Sequence, residues 1–253
     1  MKPNVLIIAG HDPSGGAGIH ADIEAVQANG GFASTLITGL TIQNSQNVRG
    51  FEMVSVDLLR RQAECLLEDL QYSAVKIGMT GSPEVIRFVA ELLDQLPGVP
   101  VVLDPVLAAE AGGSLGVSGV SDALREYLFP RAAVATPNLP EAEALAGVSG
   151  VQAAGQALAA LGAPVLVTGT HDTTEEVSNH LFRADGSKEH WLWPRLAGSF
   201  HGSGCTLASA IASELAHGKD LSSAIYHAQG FVHRALQRAW QAGKGQMIPN
   251  RHG

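Results

Sequence analysis

The chain is poor in cysteine, in clustered positive charge and in long apolar runs, and each shortage closes off a class of protein. Its 253 residues include only two cysteines, Cys65 and Cys205. They lie far apart and form no CxxC pair, which argues against a disulfide framework or a zinc knuckle. Lys and Arg number 16 against 24 Asp and Glu, a net charge of −8. A nucleic-acid binder gathers cations to neutralise phosphates, and no basic run or basic amphipathic helix is present. No segment approaches the ~20 consecutive apolar residues of a membrane span. The start, Met1-Lys2-Pro3-Asn4 followed by Val5–Gly10, has too short an apolar run for a signal peptide. The expectation is a cytoplasmic protein with neither a nucleic-acid nor a membrane partner.

Familiar catalytic signatures are missing too. Ten histidines show no HExxH or HxxxH zinc spacing. There is no GxSxG elbow and no GxxxxGK[ST] phosphate loop. Gly 29 and Pro 12 together make 41 of 253 residues, well under the roughly 25–30% of low-complexity chains. With 45% hydrophobic residues, a chain of this length can bury roughly 70–75% of its unfolded surface in a single domain. The expectation is one domain spanning residues 1–253.

What the sequence does contain is alternation. Short apolar runs at Val5–Ala9, Ser34–Thr38, Ala74–Ile77, Val99–Leu103, Ala132–Ala135 and Pro164–Thr168 are nearly continuous in hydrophobicity, as for strands buried on both faces of a parallel sheet. Helical patterns separate them: Gly18–Asn29, Asp57–Gln71, Pro83–Gln95, Ser118–Leu128, and Glu141–Leu161 broken at Gly147–Gly150. Later, Val177–Leu181 and His190–Trp193 flank a hairpin turn at Asp185-Gly186. Two long helices, Gly204–His217 and Leu221–Trp240, and a frayed tail at Gly243–Gly253 complete the reading. This is an α/β doubly wound, mostly parallel sheet flanked by helices, with late antiparallel strands. Ligands in such folds sit at the carboxyl ends of the strands.

Three segments stand there. After the first strand, Gly16, Gly18 and Ala21 fit GxGxxA, the dinucleotide fingerprint. The second strand ends Thr38-Gly39-Leu40-Thr41 without the acidic residue that a ribose would need, so NAD is disfavoured. Asp104 ends the fourth strand, and Asn138 and Glu141 follow the fifth. Their hard oxygens suit Mg²⁺ on nucleotide phosphates; Asp104 as a turn cap and Glu141 as an acidic helix start explain each singly as well, but the two together favour the metal. The third segment, Gly202-Ser203-Gly204-Cys205, opens a helix of small residues. Its amides can face an anion at the positive helix end, and that field would lower the pKa of Cys205. A cysteine on such a helix is otherwise a small buried hydrophobe.

Taken in order, six blocks give a resemblance along essentially the full length. They are Ile8–Gly18 with Ala21-Asp22, Thr41–Asn44, Val75–Met79, Asp104-Pro105-Val106 with the strand before it, Thr136–Glu141 and His201–Leu207. The chain resembles the hydroxymethylpyrimidine and phosphomethylpyrimidine kinases of thiamine biosynthesis, a branch of the ribokinase-like fold. The resemblance implies transfer of ATP's γ-phosphoryl to an aminopyrimidine's hydroxymethyl group, then of a second phosphoryl to the monophosphate. It implies that Gly10, Asp22, Gln43, Met79 and Val106 bind the pyrimidine, with Asp22 and Gln43 on its amino group and ring nitrogens. It gives Cys205 the role of base and the Gly202–Cys205 amides the role of anion hole. The nucleotide falls to Asn138, Thr168 and Thr170, and Mg²⁺ to Asp104 and Glu141. The family is usually oligomeric, so a homo-oligomer, dimer or higher, is implied as well.

Three residues depart from the family pattern. His11 replaces Ser or Thr, Thr168 replaces a lysine, and Ser203 replaces Thr. Pyridoxine or pyridoxal kinase is the chemically close alternative, and a non-catalytic pyrimidine binder is the distant one. The stretch Gln43–Val56 is the candidate flap.

Overall fold

The computed structural model describes residues 2–107, 118–169 and 175–252. One nine-stranded sheet organises it, in the order β3-β2-β1-β4-β5-β6-β7-β8-β9. Its centre is parallel: β1 (Asn4–His11), β4 (Ala74–Ile77), β5 (Val101–Leu103), β6 (Val134–Ala135) and β7 (Val165–Val167) run with β2 (Phe32–Gln43). Antiparallel strands finish both edges, β3 (Val48–Met53) beside β2, and β8 (Glu176–Phe182) with β9 (Lys188–Pro194) beside β7.

Alternation along the strands divides the core in two. From β1, Leu6 and Ile8 face α2 (Val56–Asp69), α3 (Pro83–Leu93), α4 (Val120–Ala123), α5 (Leu139–Ala146) and α6 (Val151–Ala159), while Val5, Ile7 and Ala9 face α1 (Gly18–Ala28), α7 (Ser203–Ala216) and α8 (Leu221–Gln237). The same period puts Val75 and Ile77 of β4 on the first side, and Ala74 on the second. Lys76, between them, therefore points toward α1 and α7.

Local chemistry sets several boundaries. Ser82 accepts from the Val85 N–H and Pro83 opens α3, a start that fixed φ and a spare acceptor both favour. Beyond α4 the helix widens into a π turn at Leu124–Leu128. Helix α7 runs through the middle of its layer, with every residue from Thr206 to Ser213 buried. Its alanines and serines allow that close approach.

The structure gives the candidate flap its form and corrects the expected frayed tail. The stretch after Gln43 is an antiparallel hairpin: β2 runs on to Gln43, and Asn44 Oδ1 accepts the N–H groups of Gln46 and Asn47 in the turn. The tail is not frayed. Met247 pairs with Phe200 and Ile248 with Trp240, and Arg251 is completely buried.

Candidate active site

The carboxyl ends of β1, β4, β5 and β6 open toward the start of α7. Gly202 precedes that helix with φ 79°, a left-handed conformation that glycine adopts without penalty. A Cβ there would overlap the carbonyl oxygen of Gly16, so the β1–α1 loop and the start of α7 touch backbone to backbone. Gly202 brings no side-chain acceptor to the first turn of α7, leaving that end suited to an external anion. Gly204 faces open space. Gly202, Ser203, Gly204 and Cys205 form the cap and first turn of this helix end.

Cys205 is partly exposed. Gly18, Lys76, Asp104 and Asp22 lie around it and bear on its charge. Desolvation around the sulfur pushes the thiol pKa up; the Lys76 charge pulls it back, and Asp104 and Asp22 push it further up. The direction is upward, against the expected lowering of this pKa, because burial and the two carboxylates outweigh Lys76.

Asp104 is buried, and its Oδ2 has no hydrogen-bond partner among the described residues. Burial raises its pKa, opposed by Lys76 and reinforced by Asp22. Glu141 stands differently. Its Oε2 accepts from the Asn138 N–H at 3.0 Å while Asn138 Oδ1 accepts from the Glu141 N–H at 2.9 Å, a capping box on α5. Glu141 Oε1 also accepts from the Leu107 N–H at 3.4 Å, tying the loops after β5 and β6 together. Both of its oxygens serve backbone amides, so Asp104 is the better-placed metal ligand of the two.

On the substrate side, Gly10 and Met79 are neighbours, since a Cβ on Gly10 would lie 2.7 Å from the Met79 sulfur. Thr38 holds Met79 in place by donating to its carbonyl. Val106 follows Asp104, its N–H bonded to the Asp104 carbonyl. Gln43 ends β2 with its amide nitrogen 3.4 Å from His201 Nε2. That histidine nitrogen lies 2.8 Å from Asp12 Oδ2, and with the proton donated to Asp12 the Gln43 amide stays available for a ligand. Asn138 and Thr168 pair across the ends of β6 and β7. Thr170 lies outside the described residues.

Asp22 does not join this group. It is 0% exposed, Lys76 Nζ reaches both its oxygens at 2.8 and 2.9 Å, and Ser209 donates to Oδ1 at 2.7 Å. With both oxygens engaged inside the core, it braces the site from behind instead of reading a ring.

Four residues here were not singled out as site residues by sequence alone: Asp12, Lys76, His201 and Arg251. Lys76 did carry a signal, because a lysine inside the apolar run Ala74-Val75-Lys76-Ile77 must find an acid in the core. The others depend on partners distant in sequence.

The phosphomethylpyrimidine kinase family profile matches residues 12–250. The chain belongs to this family. A hydroxymethylpyrimidine/phosphomethylpyrimidine kinase from Haemophilus influenzae is 37% identical over 251 residues, covering 95% of this chain and 93% of its own. Among solved structures, phosphomethylpyrimidine kinase from Clostridium difficile aligns with a TM-score of 0.80 at 34% identity, over 93% of this chain and all of that one. Pyridoxal kinase from Staphylococcus aureus with AMP-PCP and pyridoxal aligns at 0.90 and 26%, over 100% and 94% of the two chains. This family member is a phosphotransferase. Among the described residues, no helix is long and apolar enough to cross a membrane.

Proposed function

We propose that the protein transfers the γ-phosphoryl group of ATP to 4-amino-5-hydroxymethyl-2-methylpyrimidine, and a second to the resulting monophosphate, in thiamine biosynthesis. The observation that carries the reading is the meeting of Gly202–Cys205, Asp104, Gly10 and Met79 at one end of the sheet, in a chain that aligns with a named kinase of this substrate over nearly its full length. In phosphoryl transfer the protein's task is positioning and charge stabilisation. The Gly202–Cys205 amides hold the moving phosphoryl. Gln43, Met79 and Val106 orient the pyrimidine ring. Cys205 takes the proton of the attacking hydroxyl, a role that needs its ionised form, which burial and the Asp104 and Asp22 charges oppose in the ligand-free protein. Asn138 and Thr168 stand on the nucleotide side; Thr170, which the resemblance also assigns there, lies outside the described residues.

Mg²⁺ fits Asp104, whose buried oxygen lacks a hydrogen-bond partner among the described residues and is of the hard type that this ion prefers. When bound, Mg²⁺ would neutralise phosphate charge. We further propose a cytoplasmic, homo-oligomeric enzyme.

A second reading, pyridoxal kinase, is favoured by one observation: the pyridoxal kinase backbone from Staphylococcus aureus superposes better than the phosphomethylpyrimidine kinase one. Product analysis by mass spectrometry decides between them, with Mg-ATP and, in separate tubes, the hydroxymethylpyrimidine, its monophosphate and pyridoxal. Mono- and diphosphate from the pyrimidines, with pyridoxal slower, is the expected outcome. Turnover of pyridoxal alone moves the assignment. No product in any tube, with the pyrimidine still bound, leaves a binding protein.

A further inference from the structure

The carboxyl-terminal segment is built into the back of the anion loop. The Gln246 N–H donates to the Ser45 carbonyl at the tip of the β2–β3 hairpin, and the His201 N–H donates to the Met247 carbonyl. The segment carries Arg251, which is 0% exposed. Its guanidinium donates from Nε to Thr206 Oγ1 at 2.8 Å, from Nη2 to the Gly16 carbonyl at 2.6 Å and from Nη1 to Glu24 Oε2 at 3.0 Å. Thr206 Oγ1 in turn donates to the Gly202 carbonyl at 2.6 Å. One side chain therefore fastens both backbone stretches that meet at the anion loop. The family match ends at residue 250, so it assigns Arg251 nothing.

We propose that Arg251 is a positioning residue for phosphoryl transfer, acting through Thr206 and Gly16 on the Gly202–Cys205 amides; this rests on the kinase reading above. The physical need is specific. Gly202 and Gly204 have no side chains to hold them, and preorganised amides are what such a loop contributes to the transition state. Arg251 supplies the missing constraint from behind. It also engages the Gly16 carbonyl, which lies directly against Gly202 and would otherwise leave an uncompensated negative dipole beside an incoming anion.

The test uses the full chain with Arg251→Ala, Arg251→Lys and Thr206→Val. Steady-state kinetics are run with and without added guanidinium, and backbone amide hydrogen exchange is followed in the free proteins. For Arg251→Ala we expect kcat to fall about 10- to 100-fold, with pyrimidine KM within about twofold of wild type. Guanidinium should restore about fivefold or more, and faster exchange should be confined to Gly15–Gly18 and Gly202–Thr206. Arg251→Lys should lie between, and Thr206→Val should lose rate without rescue. Turnover of Arg251→Ala within about twofold of wild type overturns the proposal. So does a loss spread over both KM values, with exchange quickened throughout the fold and no rescue. If Arg251→Ala does not fold, Thr206→Val decides, because unchanged kcat and exchange there sink the idea. A wild-type protein that phosphorylates none of the substrates refutes the kinase reading alone, and the exchange pattern still decides the role of Arg251.

Discussion

Lys76 and Asp22 form a fully buried ion pair, with Nζ at 2.8 and 2.9 Å from the two carboxylate oxygens and both side chains without solvent exposure. Asp104 Oδ2 lies 3.7 Å from the same ammonium. Burial alone would lower the lysine's pKa, but Asp22 and Asp104, with Cys205, prevail and raise it. The cation thus anchors the back of the site, at the point where β4, α1 and α7 pack.

Lys76→Met should accordingly destabilise the protein by about 3–5 kcal/mol, because it strands a carboxylate in the core. The double variant Lys76→Met/Asp22→Leu should recover part of that loss, since it removes both charges together. Urea unfolding midpoints measure both. A single-variant loss below about 1 kcal/mol would mean that the pair is worth no more than an exposed one.

Asp12 gives a pH dependence. Burial favours its neutral form, but hydrogen bonds from His201, from the Ser14 hydroxyl and from the Ser14 and Ala17 amides outweigh this and hold its pKa well below the ordinary carboxylate range. A depressed folded-state pKa contributes stability that is complete above the unfolded value of about 3.9 and is lost as pH falls below it. Asp12→Asn should therefore be less stable than wild type by a constant margin of about 1–3 kcal/mol between pH 7 and 5. The margin should shrink from about pH 4 downward. Unfolding series at pH 7, 5 and 3.5 would expose a margin that stays flat, and a flat margin would deny the Asp12 charge a stabilising role.

These two networks also mark where sequence reading stops. The parallel strands are legible because burial on both faces leaves near-continuous apolar runs; Ala74–Ile77 was expected and found with the same bounds. The glycine loops are legible because backbone contacts such as Gly202 against Gly16 tolerate no side chain. Strand β3 was not, since Val48–Met53 is an edge with little buried surface and so carries no strong pattern. Asp22 was misplaced because a carboxylate reads alike whether it meets a ligand's amine or a lysine two strands of sequence away. Arg251 left no local trace at all: its partners Gly16, Glu24 and Thr206 lie 45 to 235 positions off.

Gln43 makes a prediction about recognition. Its amide sits at the end of β2, with His201 the polar side chain beside it. Gln43→Ala should raise pyrimidine KM about tenfold, the value of one hydrogen bond of about 1.4 kcal/mol, and leave KM for ATP within about twofold. Initial-rate kinetics with each substrate varied in turn would show this. Equal rises for both substrates would assign Gln43 to the hairpin's structure.

Cys205 carries the sharpest chemical prediction, because two readings of it diverge. It sits in the first turn of α7, close to Gly18, Lys76 and Asp104, where a small side chain on a buried helix needs no chemical role. If it also accepts the hydroxyl proton, Cys205→Ala should lower kcat by roughly 10²–10⁴ while KM for ATP stays near wild type. Cys205→Ser is a near-isosteric replacement that offers a far weaker base. It should therefore lose nearly as much rate as the alanine variant, with an unchanged melting temperature. Rapid-quench single turnovers, which read the chemical step apart from product release, separate the cases. A loss under about threefold in both variants would return Cys205 to the core of α7, and the proton would have to leave by another group.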